Sequence, residues 1–220
     1  MIIYDADLKA EYLKGDFKNP LRNMSEVSIK DFTNVDHLAA DVIDASVEYG
    51  PEFKILVTKD LKDKVNITKQ GHTLVIKYTG DTKRSYNYYS PGVTIVCPRL
   101  DSITTTTNYE SLTDFKNAEI VGDVDIIGFN QQKMVVKANR LTEVEMKNNK
   151  IDALQAVVGD NSMGVGSLNI AATNHFKLAN IKVNGVSELT LNNADITTLE
   201  HTFSDNASLT FTGSATRLFK

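Results

Sequence analysis

Asp123 and Asp125 stand two residues apart, so in an extended strand both carboxylates project from one face. Paired carboxylates are what general acid–base cleavage of a glycosidic bond requires, and β-helical polysaccharide lyases add an Arg or Lys beside them. After Arg99 the only arginines are Arg140 and Arg217, and we expect Asp123 and Asp125 to be solvated outward positions. His37, His72, His175 and His201 are spread along the chain. His175 and His201 fall near successive turns and could meet as a metal pair. A tetrahedral site wants three or four ligands, and no third has matching spacing. We therefore read the histidines as structural or solvated and expect no metal and no cofactor. Tyr86-Asn-Tyr88-Tyr89 follows Lys83-Arg84. Tyr86 and Tyr88 would share one side of an extended segment, and tyrosine offers sugars and proteins an apolar plane with a hydroxyl. Tyr86, Tyr88 and Tyr89 are the candidate ligand-binding residues; the structural alternative is a hairpin end packed on the body of the protein. P-loop, G-x-S-x-G, H-E-x-x-H and EF-hand patterns are all missing from the sequence, and we expect no enzyme activity.

The elements that must carry these residues are β-strands. Val186-Ser-Glu-Leu189-Thr-Leu191-Asn-Asn193-Ala-Asp-Ile196-Thr-Thr-Leu199 repeats, 45 positions on, the apolar pattern of Leu141-Thr-Glu-Val144-Glu-Met146-Lys-Asn148-Asn-Lys-Ile151-Asp-Ala-Leu154. The triplets starting at Val124, Val144, Leu168, Leu189 and Leu209 follow at intervals of 20, 24, 21 and 20. A period near 20 with alternation inside each unit predicts stacked units with Val124, Ile126, Val144, Met146, Leu168, Ile170, Leu189 and Leu191 inward. Asn130, Asn148-Asn149, Asn174, Asn193 and Gly213 fall at the turns, where asparagine tolerates the left-handed conformation and can stack amide over amide. The interval of 24 coincides with 159–166, read as a loop that leaves the stack undisturbed. Ile103 is read as the front of a degenerate first unit.

Before the repeats, Phe53–Val57, Val65–Ile67, Leu74–Tyr78 and Val93–Cys97 read as strands, with Gln70-Gly71-His72 a turn and Pro98 a stop. The fold expected is all-β: a single-stranded, right-handed parallel β-helix or β-solenoid, its first coil covered by the N-terminal β-region and its far end closed by Arg217–Lys220. The domain organisation expected is a poorly defined segment 1–26 and one elongated domain 27–220, with 27–99 as the N-terminal β-region and 100–220 as repeats of about 20–24 residues.

The 220 residues carry a net charge of −4 without a basic stripe, which argues against nucleic acid as a partner. No stretch approaches the roughly 18 apolar residues of a membrane span. Met1-Ile-Ile-Tyr-Asp-Ala-Asp lacks the basic and apolar regions of a secretory signal, so either the protein stays in the cytoplasm or an export signal lies upstream. The one cysteine, Cys97, ends an apolar run and reads as a buried structural thiol.

The run Phe32-x-x-Val35, Asp41-Val42, Val47-Glu-Tyr49-Gly50, Phe53-Lys-Ile55-x-Val57, Gly71-x-Thr73-Leu74-x-Ile76 and Val93-Thr-Ile95-x-Cys97-Pro98-x-Leu100-x-Ser102-Ile103 resembles the bacterial family called putative auto-transporter adhesin, head GIN domain. The likeness covers about 27–215; the turns depart from the family in carrying Asn, Thr and Asp in place of Ser, Gly and Ala. The resemblance implies a parallel β-helix, export to the periplasm, the outer membrane or the cell surface, and an adhesive role toward a glycan or protein. Alternatives from the residues themselves are a polysaccharide-active enzyme, lyase or hydrolase, and a structural envelope domain that associates with its own copies as a homo-oligomer.

Overall fold

The computed structural model describes residues 23–38, 43–79, 92–107, 122–160 and 165–219. The first strands are β1 (Met24–Val27), β2 (Asn34–Leu38), β3 (Ala45–Tyr49), β4 (Lys54–Thr58), β5 (Val65–Gln70), β6 (Thr73–Tyr78), β7 (Val93–Cys97) and β8 (Ser102–Thr106). The repeat region supplies β9 (Gly122–Ile127), β10 (Asn130–Ala138), β11 (Thr142–Lys147), β12 (Lys150–Val158), β13 (Gly166–Ile170), β14 (His175–Val183), β15 (Glu188–Asn192), β16 (Asp195–Phe203) and β17 (Ser208–Thr212). A 3-10 segment, Gly213–Phe219, follows.

These strands form two large mixed sheets. One has nine strands in the order β1-β4-β7-β3-β9-β11-β13-β15-β17; the other has eight, in the order β16-β14-β12-β10-β8-β2-β6-β5. Most pairs are parallel, while β1–β4, β4–β7 and β5–β6 are antiparallel. Neither sheet closes on itself. This corrects the expected single-stranded β-helix or β-solenoid with an N-terminal cap. The repeat spacing encodes in-register parallel pairing: Val124, Val144, Leu168, Leu189 and Leu209 are successive partners in the nine-stranded sheet. It does not encode how the aperiodic N-terminal strands join them. Those strands meet the first repeat edge to edge, as further members of both sheets and not as a separate cap: β3 pairs with β9 and β8 with β10.

Ile103 is also corrected. It lies in the eight-stranded sheet opposite Val136 and Val35, while Val47 takes the place beside Ile126 in the other sheet.

Each of the first four repeats thus gives one short strand to the first sheet and one nine-residue strand to the second, and the last gives β17 alone. The eight inward positions expected from alternation are all buried. Between the sheets Phe32, Phe129 and Phe176 are fully buried beside Ile126, Met146, Ile170 and Leu191. Burial of each such side chain contributes about 1.5–3 kcal/mol.

The turns are built as the asparagines suggest, except that Asn130 is not in a turn but opens β10, paired with Lys150. Gly128, Asn148, Asn193 and Gly213 occupy one turn position with φ of 83°, 58°, 51° and 58°, a region in which asparagine and glycine carry the least steric cost. Asn149 and Asn174, both buried, stack beneath them. The Phe129 N–H donates to Asn149 Oδ1 at 3.0 Å, and the Asn149 N–H and Nδ2 both donate to Asn174 Oδ1 at 3.1 and 3.0 Å. Nδ2 of Asn149 also donates to the Ile126 carbonyl. The longer interval is absorbed as expected: Met146 and Ile170 pair across it.

At the far end the 3-10 segment lies on β16 and β17, with Ala215 buried and Phe219 stacked on Phe211 at 4.1 Å.

Candidate functional site

With the interior filled by side chains, function falls to the outer faces of the two sheets. On the nine-stranded sheet the strand registers bring carboxylates together. Asp123 and Asp125 of β9 lie beside Glu143 and Glu145 of β11. Glu188 of β15 lies beside Ser167, itself the neighbour of Glu143. Asp44 closes the row, accepting a hydrogen bond from the Asp123 N–H at 3.3 Å. Lys147 reaches into this row, 2.8 Å from Glu145 Oε2 and 3.1 Å from Asp125 Oδ1. Desolvation, then repulsion from Asp44, Asp125 and Glu145, pushes the Asp123 carboxyl above the usual carboxylate range. Glu143 is raised by desolvation and by Asp123, Glu145, Glu188 and Asp125. Asp44 is raised by burial, against the Asp123 N–H, with Asp125 adding to the rise. Burial lowers Lys147, and its bonds to Glu145 and Asp125 more than reverse that. The row can hold protons and repel anions.

Asp123 and Asp125 therefore face outward, as the spacing predicts, but in company. Glu143 and Glu145 were legible: they follow Asp123 and Asp125 by the same 20 positions that separate Val124 from Val144.

The eight-stranded sheet carries a groove. Inward positions along its long strands are first three apart, not two: Ile151 and Leu154, Phe176 and Ala179, Ile196 and Leu199. Two successive residues between them therefore turn outward, and in β12 and β14 strict alternation resumes beyond. There a concavity of about 340 Å³ opens over four strands, lined by Lys133, Val135, Ala153, Gln155, Leu178, Asn180 and Glu200 together with the backs of Met134 and Leu154. Val135, Ala153 and Leu178 are half-buried and make the floor; Lys133, Gln155, Asn180 and Glu200 are exposed and make the rim. Gln155, Asn180 and Glu200 are consecutive register partners, so their side chains step by ~4.8 Å. Asn180 Nδ2 donates to Glu200 Oε2 at 2.8 Å.

His175 and His201 do not converge. His175 Nδ1 lies 2.7 Å from Asp195 Oδ2. His201 is six residues further along β16 than Asp195, roughly 20 Å away at strand rise, stacked on Phe203 at 4.5 Å. His72 is exposed in the β5–β6 turn and His37 lies in β2. Among the described residues no three or more His, Cys, Asp or Glu side chains are grouped to hold a metal ion. Cys97 is fully buried, and desolvation pushes its thiol up to about 12. Tyr86, Tyr88 and Tyr89 lie outside the described residues.

No protein-family profile matches the chain, and no curated protein does. Solved structures do. A crystal structure of a putative adhesin from Bacteroides fragilis aligns at a TM-score of 0.54 with 17% identity, over 86% of this chain and 93% of that one. What the two share is the fold. A putative adhesin from Parabacteroides distasonis aligns at 0.46 with 13% identity, over 86% of this chain and 94% of its own. No described helix is long and apolar enough to cross a membrane.

Proposed function

We propose that this protein is a non-catalytic module of the cell envelope or cell surface that binds a partner on the outer face of its eight-stranded sheet. The observation that carries the reading is the groove over β10, β12, β14 and β16, with its apolar floor and hydrogen-bonding rim. Such a mixture suits reversible recognition of an amphipathic partner. The adhesin name borne by the structure of like fold, and the apolar pattern resembling the head GIN domain family, support an adhesive role and a place in the periplasm, at the outer membrane or at the surface.

The test is binding of the purified chain to intact cells and isolated envelope fractions, with release of reducing ends followed in parallel. Saturable binding without turnover is expected. Turnover, or binding to no surface, overturns the reading.

The acidic row favours one second reading, a polysaccharide-active enzyme. Carboxyls held above their usual range beside a lysine are fit for proton transfer. That reading requires turnover lost in Glu143→Gln and in Asp123→Asn.

A further inference from the structure

The groove has a direction and a period that narrow its occupant. Its rim residues Gln155, Asn180 and Glu200 come from adjacent strands in register, so hydrogen-bonding groups repeat along the stack at ~4.8 Å. An extended peptide laid across the strands advances about 3.3 Å per residue and falls out of step at once. A β-linked hexose chain advances by nearly one strand spacing per sugar and stays in step. The chemistry agrees. Asn180 spends Nδ2 on Glu200 Oε2, which leaves Asn180 Oδ1 and Glu200 Oε1 as neighbouring acceptors in fixed relation, a match to two adjacent sugar hydroxyls. The Gln155 amide makes no side-chain hydrogen bond among the described residues, so it can both donate and accept. Beside this rail lie Ala153 and Leu178, register partners of each other, while Val135 continues the rail's own row as the partner of Gln155; all three offer half-buried carbon surface of the kind that covers the C–H face of a pyranose.

Lys133 and Glu200 stand on the two outer strands of the groove, so the middle is uncharged. On the reading that the groove is a binding surface, we infer that it accepts a single linear, neutral glycan chain, running across β10, β12, β14 and β16 with about one sugar per strand. Three strand intervals span only ~14 Å, so three to four sugars fill it.

The test is titration of the full chain, by calorimetry or by NMR, with linear neutral β-linked oligosaccharides of two to six units. Affinity should rise with length and level off at three to four units. Gln155→Ala with Asn180→Ala should weaken the longest ligand by about tenfold or more, the loss expected when several directional hydrogen bonds go. Leu178→Glu should abolish binding. Circular dichroism separates both effects from misfolding, since Gln155 and Asn180 are exposed and Leu178 lies on the outer face, away from the core between the sheets. Binding that ignores chain length, unaltered affinity in the double variant, or preference for peptides or acyl chains overturns the inference. Envelope binding that survives the double variant sinks the glycan groove and leaves the surface module standing. Oligosaccharide cleavage with affinity still lost in the double variant does the reverse.

Discussion

The strands of 122–212 and those of 24–106 build the same two sheets by different means. In the repeat half, consecutive strands alternate between the sheets and every strand pair there is parallel, with partners 20 to 25 positions apart. In the N-terminal half, the positions beside β9 and β10 are filled by β3 and β8, more than fifty residues apart in sequence, and β4 runs antiparallel between β1 and β7. Both halves bury the same kind of residue against the same core: Val47, Ile55, Ile95 and Ile103 are as inaccessible as Val144 and Leu168. Packing between sheets asks only for an apolar face at the right depth, and many chain paths supply it. The repeats reach that face by local periodicity and the N-terminal strands by non-local pairing.

The largest expected effect tests whether the halves depend on one core. Leu168→Asp and Val47→Asp each place a charge among apolar side chains and should each cost more than about 4 kcal/mol. Both variants should lose the cooperative transition in circular dichroism. A Val47→Asp protein whose repeat half still melts cooperatively would mean the N-terminal strands are an appendage. Next comes the asparagine stack, a device of the repeat half. Asn149→Ala strips the Phe129 N–H and the Ile126 carbonyl of side-chain partners and should cost about 2–3 kcal/mol by denaturant unfolding. An unchanged midpoint would show that strand pairing alone sets the turns.

The smallest effect concerns the acidic row, which spans both halves through Asp44. Glu143 has its folded pKa raised above its unfolded value. Its contribution to stability is therefore complete below the ordinary carboxylate range and is lost as pH rises from ~4 through the raised value. Glu143→Gln should raise the melting temperature by about 1–2 °C at pH 7 and leave it unchanged near pH 3.5. Equal melting temperatures at pH 7 would mean that Lys147 already neutralises the row.

The pairing register of the repeat half, its inward residues and its asparagine turns were readable because stacking repeats the same local physics every 20 or so residues. Val124 above Val144 follows from spacing alone, whereas Asn149 above Asn174, 25 positions apart, matches none of the triplet intervals. The two-sheet order was not readable. β3 beside β9 is a long-range choice, and nothing in Ala45–Tyr49 distinguishes an end strand from a central one. At the candidate site, Asp123 and Asp125 were found within one strand while Glu143 and Glu145 were missed across strands. The groove was signalled by apolar residues three apart, as at Ile196 and Leu199. That pattern was aligned between repeats without being read as an outward break in alternation.

The account turns on β3 lying in register beside β9. Ser46 and Asp125 are direct partners across that pair, and Cα atoms of parallel neighbours at ~4.8 Å lie within disulfide reach. Ser46→Cys with Asp125→Cys, in a chain carrying Cys97→Ala, should oxidise to an intramolecular disulfide that survives native purification and raises the unfolding midpoint. Two thiols that stay free under oxidation in the folded protein would contradict the sheet order and the shared core built on it.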